Sequence, residues 1–545
     1  MGEIAIKNVT FTYPQQHSPT LQNVNLFIPA GEMVLIAGES GCGKSTLLKL
    51  LNGIIPFSSE GEFLGNVFID GKNTRDADIK TLSMQVGMVF QNPDDQMFSE
   101  NVYDEVAFAL ENQGVPPSEI EQEVMRYLEL VGLESFKDRS IDSLSGGQKQ
   151  KAALASVLIG KPSVLVLDEP VSQVDPASTK ELLQLLQKIW RKTRTTILIV
   201  EHRLNEVMNY VQRLILMASG GKVLFDGSIG SVFKKPDVFL QAGLRIPQGL
   251  ELLAKLNIET AADRLPSPAE VADLIRSSDR RFCRKKEDNG KDREENATFC
   301  HIDNLSFLYN KKEDFSLQIK ELKLKKNQFV CLVGHNGSGK STFLKLLCGL
   351  LQGQGKIQFA APPQISVVLQ NPDMMLYHYT VFEEITCEAL NVSKTYDKDY
   401  YSRLLEKLSL ALWEQSFPLS LSRGQRFRTA IACALLAKPD LLILDEPTTG
   451  QDIRNVEAIL QLIKDQQGQG LTVLFCTHDI ETAFRYADQI LFFEGGKILY
   501  QGSPSEIIQS KQISESYCPD ISNIAMRLYE APAVSIEEVL QDEVK

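Results

Sequence analysis

The amino-acid sequence predicts two consecutive α/β domains, each built around a parallel β-sheet. The chain has 545 residues, which is more than a single hydrophobic core usually organises. A set of short motifs occurs twice along it, in the same order. Within each copy, short apolar runs alternate with stretches of helical spacing, a pattern typical of parallel sheets covered by helices.

Composition and charge narrow the class of protein. The net charge of −13 argues against a nonspecific nucleic-acid binder, which usually carries a basic surface. The longest apolar runs, such as Val164–Leu167 and Leu441–Leu444, suit buried strands and are far shorter than a membrane span. Nine cysteines without a CxxC pair favour reduced thiols over a disulfide framework. Because no long apolar region follows Glu3 and Lys7, we expect a cytosolic chain without a signal peptide or membrane span.

The repeat is clearest in a glycine-rich motif of the form GxxxxGKS, which spans Gly38–Ser45 and returns at Gly334–Ser341. Its two lysines lie 296 residues apart, whereas the later motifs recur at offsets between 276 and 279. The first copy is therefore longer just after this motif, where it carries Ile54–Leu64 and Arg75–Lys80. The later motifs are Gln91–Asp94 with Gln370–Asp373, Leu144–Gln148 with Leu421–Gln425, Asp168–Pro170 with Asp445–Pro447, and His202 with His478.

The positions of the motifs divide the chain into five predicted segments. The first α/β domain covers residues 1–230 and the second covers residues 298–502. Residues 231–275 keep a leucine periodicity, so we predict a small helical extension of the first domain. Residues 276–297 are mostly charged, with few apolar residues, and we predict a linker there. Residues 503–545 are predicted to form a C-terminal helical extension.

The glycine-rich motifs have the pattern of a phosphate-binding loop, because each follows a short apolar strand and precedes a helical stretch. Glycines let successive backbone N–H groups point inward, and the helix that follows adds its positive N-terminus. The pattern predicts that Lys44 and Lys340 neutralise phosphate charge. It also predicts that the serines after them, Ser45 and Ser341, coordinate Mg²⁺.

Each copy also has an apolar strand that ends in two acids, Asp168 and Glu169 in the first copy and Asp445 and Glu446 in the second. The aspartates suit the support of Mg²⁺, and the glutamates can polarise an attacking water. Many strands end in acidic turns that have no such role. The matched position of these acids after a phosphate loop in both copies favours the functional interpretation.

The order of these motifs resembles that of the ABC ATPases, whose signature sequence is similar to Leu144–Gln148. The resemblance covers nearly the whole chain. It implies two P-loop NTPase cassettes, each with a RecA-like parallel-sheet core, a helical signature subdomain and an antiparallel β subdomain. It also implies that the two cassettes pair within one chain. Each of two ATP molecules would then lie between the glycine-rich loop of one copy and the signature of the other.

The resemblance also assigns roles to residues whose spacing alone does not define one. The implied catalytic residues are Glu169, Glu446, His202 and His478. The implied Mg²⁺ ligands are Ser45, Gln91, Asp168, Ser341, Gln370 and Asp445. The implied ATP contacts are Tyr13, Gly38, Ser40, Gly41, Gly43, Lys44, Ser45, Thr46, Gln91, Ser145, Gly147, Gln148, Tyr309, Gly334, Asn336, Gly337, Gly339, Lys340, Ser341, Thr342, Gln370, Ser422, Gly424 and Gln425. The tyrosines are expected to stack on adenine, although aromatic residues at strand ends often only pack.

The second signature departs from the family pattern, because Arg423 stands where the first glycine is expected. A cation at a helix N-terminus opposes the helix dipole by about 0.3–1 kcal/mol, whereas near a triphosphate the same cation is favourable. Ser422 and Gly424, which resemble the family's main phosphate contacts, are retained. The hypothesis is therefore that both sites hydrolyse ATP, at unequal rates.

Cys42 is a further peculiarity of the first glycine-rich loop. Its position near a helix N-terminus and Lys44 predicts a lowered pKa and a reactive thiol. Alkylation is then expected to block one site, with ATP protecting it. The alternative is a small residue that the loop merely tolerates.

The stretch Phe90–Phe98, followed by Val102–Phe108, resembles the ATPases of energy-coupling factor importers, which take up vitamins and transition-metal ions. Fused versions resemble the ATPases of thiamine-precursor uptake. The resemblance implies an integral membrane coupling subunit, a separate substrate-binding membrane subunit and a position at the cytoplasmic face of the cell membrane. Asp94, Asp95 and Asp373 are then expected to meet arginines of the coupling subunit, with a solvated turn as the alternative.

Two other functions remain open on the sequence. A tandem ABC protein that binds ribosomes usually has a long basic helical arm between its cassettes, whereas residues 276–297 are short and mixed in charge. A sugar-importer ATPase with duplicated cassettes explains the Gln91–Gln96 run less well. The sequence does not identify the transported substrate, because a separate membrane subunit would bind it.

Overall fold

The computed structural model describes residues 2–14, 16, 18–171, 176–260, 262–278, 280–282, 297–309, 316–335, 337–447, 453–510, 518–529, 533 and 535–544. The chain divides into two compact units, Met1–Ser267 and Pro268–Lys545. Each unit contains its own parallel-stranded sheet, so the predicted fold class of two α/β domains is confirmed.

Unit 1 combines a four-stranded antiparallel sheet with a six-stranded sheet. The second sheet has the order β10-β9-β3-β8-β7-β6, and all of its strands run parallel except β10. The strands are β1 (Ile4–Thr12), β2 (Leu21–Ile28), β3 (Met33–Gly38), β4 (Glu62–Ile69), β5 (Lys72–Asn73), β6 (Val86–Val89), β7 (Val164–Asp168), β8 (Thr196–Val200), β9 (Arg213–Ala218) and β10 (Lys222–Ser228). The helices are α1 (Lys44–Leu51), α2 (Ile54–Phe57), α3 (Ile79–Gln85), α4 (Val102–Asn112), α5 (Pro117–Val131), α6 (Gly146–Leu158), α7 (Pro176–Thr193), α8 (Leu204–Val207), α9 (Ile229–Val232), α10 (Asp237–Gln241) and α11 (Gln248–Lys255).

The central strand β3 shows why its sequence forms a strand buried on both faces. All six of its residues are buried. Met33 and Leu35 pack into one hydrophobic core, whereas Val34 and Ile36 pack into another, because successive side chains leave a strand on opposite faces. A third core joins the helices α4, α5 and α6. The loop that follows β3 therefore starts at the carboxyl end of a strand that is buried on both faces.

Unit 2 repeats this plan. Its six-stranded sheet has the order β16-β17-β18-β14-β19-β20, again parallel except for its last strand, and a three-stranded antiparallel sheet has the order β13-β12-β15. The strands are β11 (Arg281–Phe282), β12 (Thr298–Leu308), β13 (Ser316–Lys325), β14 (Phe329–Gly334), β15 (Gln354–Phe359), β16 (Ile365–Val368), β17 (Leu441–Asp445), β18 (Thr472–Cys476), β19 (Gln489–Glu494), β20 (Lys497–Gly502) and β21 (Glu543–Val544). The helices are α12 (Pro268–Ser277), α13 (Lys340–Leu347), α14 (Val381–Ser393), α15 (Lys398–Lys407), α16 (Arg423–Leu436), α17 (Ile453–Gln467), α18 (Ile480–Tyr486), α19 (Pro504–Gln509), α20 (Asp520–Tyr529) and α21 (Ile536–Gln541).

The length difference between the copies has a structural explanation. Unit 1 places α2, β5 and α3 between its glycine-rich loop and β6. Unit 2 passes from α13 through β15 directly to β16. The extra residues of the first copy therefore extend its antiparallel sheet by one strand and add two short helices.

The segment between the copies contributes elements to both units. The helices α10 and α11 lie in unit 1, whereas α12 lies in unit 2 and packs against α20. Two further contacts join the same segments, since β11 pairs with β21 and the Phe282 ring stacks on Tyr529. Most of the predicted linker, residues 283–296, lies outside the described residues. The boundaries of the five predicted segments remain predictions.

Within the part of the chain that the structure describes, no helix combines the length and the apolar character needed to cross a bilayer.

Candidate functional sites

The glycine-rich loop of unit 1 joins β3 to α1, and two of its glycines have a steric reason to be glycine. Gly43 has a φ of 103°, a left-handed conformation that other residues rarely adopt. A Cβ on Gly38 would lie 2.1 Å from the carbonyl oxygen of Met217. Gly339 and Gly334 repeat both constraints in unit 2. Of the other predicted contacts, Ser40, Gly41 and Gly337 lie in these loops, Thr46 and Thr342 lie in the helices that follow, and Asn336 lies outside the described residues.

The loop lysines are held in the same way in both units. Lys44 is 5% exposed, and its Nζ donates to the carbonyl oxygens of Gly38 at 2.9 Å and Glu39 at 2.8 Å. Lys340 is 6% exposed and makes the two equivalent bonds at 2.7 and 3.0 Å. Each ammonium group is therefore fixed against the backbone of its loop. In this poorly solvated position its attraction for an anion is stronger than at an exposed site.

The two aspartates lie beside the loop serines, at the ends of β7 and β17. Ser341 Oγ donates to Asp445 Oδ2 at 3.2 Å, and Ser45 makes a side-chain hydrogen bond to Asp168. Burial raises the pKa of both aspartates, and the serine hydroxyl opposes this effect. Among the described residues, the buried Asp168 Oδ1 has no hydrogen-bond partner. A buried carboxylate oxygen beside a hydroxyl is a donor set that fits Mg²⁺.

The glutamates that follow these aspartates are held in an unusual backbone conformation. Glu169 has a φ of 49° and Glu446 a φ of 52°. A left-handed conformation is costly for a residue with a side chain, and such strain tends to occur at functional sites. The Glu169 N–H donates to Val200 O and the Glu446 N–H to Cys476 O, both at 2.9 Å. These bonds to the neighbouring strand keep each glutamate at the carboxyl edge of its sheet.

In unit 1, three of the predicted residues meet at one carboxylate. Gln91 Nε2 donates to Glu169 Oε2 at 2.6 Å, and His202 Nε2 lies 2.8 Å from Glu169 Oε1. The glutamate is only 14% exposed, so both partners act on it across a poorly solvated space. The sequence-predicted Gln91, Glu169 and His202 therefore form one contiguous group.

Unit 2 assembles only part of the equivalent group. His478 Nδ1 lies 2.6 Å from Glu446 Oε2. Gln370 is exposed, and among the described residues it forms no hydrogen bond with Glu446. The two units differ at this residue although their sequences share it.

The predicted adenine-stacking tyrosines occupy matched places. Tyr13 Oη lies 3.2 Å from Thr46 Oγ1, and Tyr309 Oη lies 3.2 Å from Thr342 Oγ1. Each ring also meets a phenylalanine edge-on, at 4.8 Å in unit 1 and 4.9 Å in unit 2. The tyrosines thus lie against the helix that follows the glycine-rich loop, and both interpretations of them, adenine stacking and packing, remain compatible with this place.

The signature serines begin the helices α6 and α16. Ser145 and Gln148 form a reciprocal capping box, and Ser422 and Gln425 form another. Arg423 is the first residue of α16, so a basic residue begins the second signature helix. Both serines are exposed. The second residues of the two helices are Gly147 and Gly424.

The acidic residues after the glutamines have partners inside their own unit. Lys149 Nζ lies 2.5 Å from Asp94 Oδ1, and Arg426 Nη1 lies 2.8 Å from Asp373 Oδ2. Both cations lie on the signature helices. Asp94 and Asp373 thus each have a cation of their own unit beside them, and the expectation that they and Asp95 meet arginines of a coupling subunit stays a prediction. The matched basic residues four positions after Ser145 and Ser422 were the sequence signal for these pairs.

Sequence reasoning also missed Glu201, which directly precedes His202. Its side chain is 1% exposed, and both of its carboxyl oxygens accept backbone hydrogen bonds. An acid at the end of an apolar strand, next to a predicted catalytic histidine, was the available signal.

The expectation for Cys42 is wrong. The thiol is fully buried, and this burial raises its pKa by more than Lys44 lowers it. The sequence indicated the helix N-terminus and the lysine correctly, but it did not reveal the loss of solvent.

We therefore expect slow alkylation of Cys42 at pH 7.5, because a raised pKa leaves less thiolate at that pH. Cys387, which is partly exposed on α14, serves as the comparison within the same chain. Mass spectrometry after timed treatment with N-ethylmaleimide measures both rates. Labelling of Cys42 as fast as that of Cys387 in the folded protein contradicts this prediction.

Comparison with known proteins identifies the family of the chain. The sequence profile of the ABC transporter family matches residues 21–172 and 317–449, once in each unit. A provisionally named ABC transporter ATP-binding protein of Methanosarcina acetivorans is 37% identical over 99% of this chain and 90% of its own length. The provisionally named HMP/thiamine import ATP-binding protein YkoD of Bacillus subtilis is 31% identical over 94% of this chain and 93% of its own.

A solved structure shares the fold. The archaeal ribosome recycling factor aABCE1, solved with the ribosomal stalk protein aP1, superposes with a TM-score of 0.59 at 20% identity and covers 96% of this chain and 98% of that one. At this identity the likeness extends to the fold alone. Two family matches in one polypeptide, together with relatives that span almost its whole length, establish that the chain belongs to the ABC transporter family as an ATP-binding ATPase with two cassettes.

Proposed function

We propose that this chain hydrolyses ATP to power an importer of the energy-coupling factor type, which takes up a vitamin, a vitamin precursor or a metal ion. The observation that carries the catalytic part is the group at Glu169, where Gln91 and His202 meet one poorly solvated carboxylate beside Asp168. The importer class draws support from the Gln91–Gln96 run and from the similarity to YkoD, a protein named for HMP/thiamine import.

The chemistry follows from the positions of the side chains. Lys44 and Lys340 would neutralise the phosphates from within their loops. Mg²⁺, when bound, neutralises phosphate charge. The residues that would hold it are Ser45, Asp168 and Gln91 in the first site and Ser341, Asp445 and Gln370 in the second.

The glutamates are the proposed general bases. Glu169 and Glu446 would each accept a proton from the attacking water, and the histidine beside each would orient the carboxylate and contact the γ-phosphate. Unequal rates at the two sites remain part of the proposal. Its support is the exposed Gln370 and the cation of Arg423, both of which belong to the second copy.

An exposed apolar surface follows the glutamine in each unit and offers a place for membrane partners. In unit 1 the rings of Phe98 and Phe108 are 4.4 Å apart and are 63% and 41% exposed. In unit 2 Met374, Tyr377 and Tyr379 are between 63% and 84% exposed. Clustered exposed apolar side chains mark interaction sites. We propose that these surfaces dock an integral membrane coupling subunit, which is joined by a substrate-binding membrane subunit, and hold the chain at the cytoplasmic face.

Co-purification tests the importer assignment. When an affinity-tagged chain is isolated from detergent-solubilised membranes of its own cells, we expect small integral membrane proteins to accompany it. A Phe98→Ser/Phe108→Ser variant is expected to lose them while keeping its ATPase sites. Recovery of ribosomal particles, or of the membrane subunits of a sugar importer, contradicts the proposal.

A further inference from the structure

Glu201 is a buried acid that joins two parts of the first site. It directly follows β8, and its side chain is 1% exposed. Its Oε1 accepts a hydrogen bond from the N–H of Val171 at 2.9 Å, and its Oε2 accepts one from the N–H of His202 at 3.0 Å. Val171 comes two residues after Glu169. One carboxyl group therefore holds the backbone on both sides of the contact between Glu169 and His202.

Burying the carboxyl group of Glu201 costs folding free energy, which its hydrogen bonds must offset. Burial, together with the nearby charge of Glu169, raises the pKa of Glu201 to about 8, although Arg203 and the two backbone donors act in the opposite direction. A buried polar group of this kind is stable only when its hydrogen bonds are satisfied. Here the satisfied bonds are those to Val171 and His202.

The second site has a different residue at the equivalent position. Thr477, also fully buried, directly precedes His478, and its N–H bonds to the central strand as that of Glu201 does. Its hydroxyl accepts a bond from the N–H of Asp479 instead. A threonine side chain carries a single oxygen, which is closer to the backbone by two carbons than the carboxyl oxygens of glutamate, so it does not reproduce a two-ended carboxyl bridge.

We propose that Glu201 is a positioning residue of the first ATP site, fixing His202 relative to the segment that carries Glu169. The inference rests on the proposed roles of Glu169 and His202 in hydrolysis. Because the contact between Glu169 Oε1 and His202 Nε2 is only 2.8 Å, a small shift of either backbone changes it. Misplacement by about 1 Å at a catalytic group can lower a rate by about 100-fold.

The test isolates the first site by using the full chain with the substitution Glu446→Gln. In that background, Glu201→Thr, which copies the second site, is expected to lower the single-turnover rate about tenfold. Glu201→Gln keeps the size of the side chain but offers one acceptor in place of two, and we expect an intermediate loss. The affinity for ATP is expected to stay within about twofold, since Glu201 lies behind the catalytic contact and not at the phosphate loop.

A cycle with His202→Ala separates positioning from a purely structural role. If Glu201 acts through His202, adding Glu201→Gln to His202→Ala produces no further loss of rate. Independent, multiplicative losses overturn the inference, as does an unchanged rate in Glu201→Thr. An equal loss at the second site, measured in the Glu169→Gln background, would indicate a general folding defect and also overturn it. If His202→Ala itself has no effect, the proposed function of the histidine fails first.

Discussion

Replacing Glu169 by Gln is expected to lower the single-turnover rate of ATP hydrolysis at the first site by about 10²–10⁴-fold, which is the usual contribution of a general base. Glutamine keeps the size of the side chain and one of the two acceptor oxygens that face Gln91 and His202, but it cannot take a proton from water. ATP binding is expected to remain, because the lysine and the glycine-rich loop are unchanged. Single-turnover hydrolysis of radiolabelled ATP, with binding measured in parallel, checks both expectations.

The matched variant is Glu446→Gln in the second site. We expect it to remove a different share of the total rate, because Gln370 does not reach Glu446 and Arg423 begins the second signature helix. The double variant is expected to be inactive. If either single variant hydrolyses ATP at the full rate, the corresponding site has no hydrolytic role and serves regulation instead.

Replacing Lys44 or Lys340 by Met is expected to weaken ATP binding at the corresponding site by about 100-fold. Charge-assisted hydrogen bonds contribute about 1.5–3 kcal/mol each, and the lost ammonium group is buried in its loop. Methionine retains most of the apolar stem and removes a desolvated cation, so we expect the fold to persist. Equilibrium titration with a fluorescent ATP analogue measures the affinity at each site.

The same helices supply the control residues. Lys49 lies five residues after Lys44 on α1, and Lys345 lies five residues after Lys340 on α13. Both side chains are less buried than those of the loop lysines. Lys49→Met and Lys345→Met are expected to leave ATP affinity unchanged. Equal losses in the control and loop variants would show that general helix charge, and not contact with phosphate, decides the affinity.

The parts of this molecule that were predictable from sequence are those set by local pattern. The glycine-rich loops were recognisable as a motif because the backbone needs glycine at fixed positions. Gly43 has a positive φ, and Gly38 faces a neighbouring carbonyl oxygen. The acids at the ends of β7 and β17 were predictable because a short apolar strand must end at a sheet edge. The Ser-x-x-Gln spacing at Ser145 and Ser422 is typical of the capping boxes that begin both signature helices.

The features that sequence did not reveal depend on which atoms meet after folding. Cys42 lies in an electropositive sequence context, yet burial decides its pKa. The ion pair between Asp94 and Lys149 forms only when folding brings the signature helix next to the segment after Gln91. Gln91 and Gln370 are the same residue in matched motifs, and only one reaches its glutamate. In each case the deciding quantity is a distance or a loss of solvent set by tertiary structure.

The pairing of β11 with β21 has a practical consequence for anyone who wishes to divide the gene. The charged stretch at residues 283–296 looks like the natural place to cut, but a cut there leaves α12 and β11 on the first polypeptide and their partners α20 and β21 on the second. Arg280 would likewise be separated from Glu543. A division before Pro268 keeps these contacts together, so it is the choice that yields two polypeptides with complete cores.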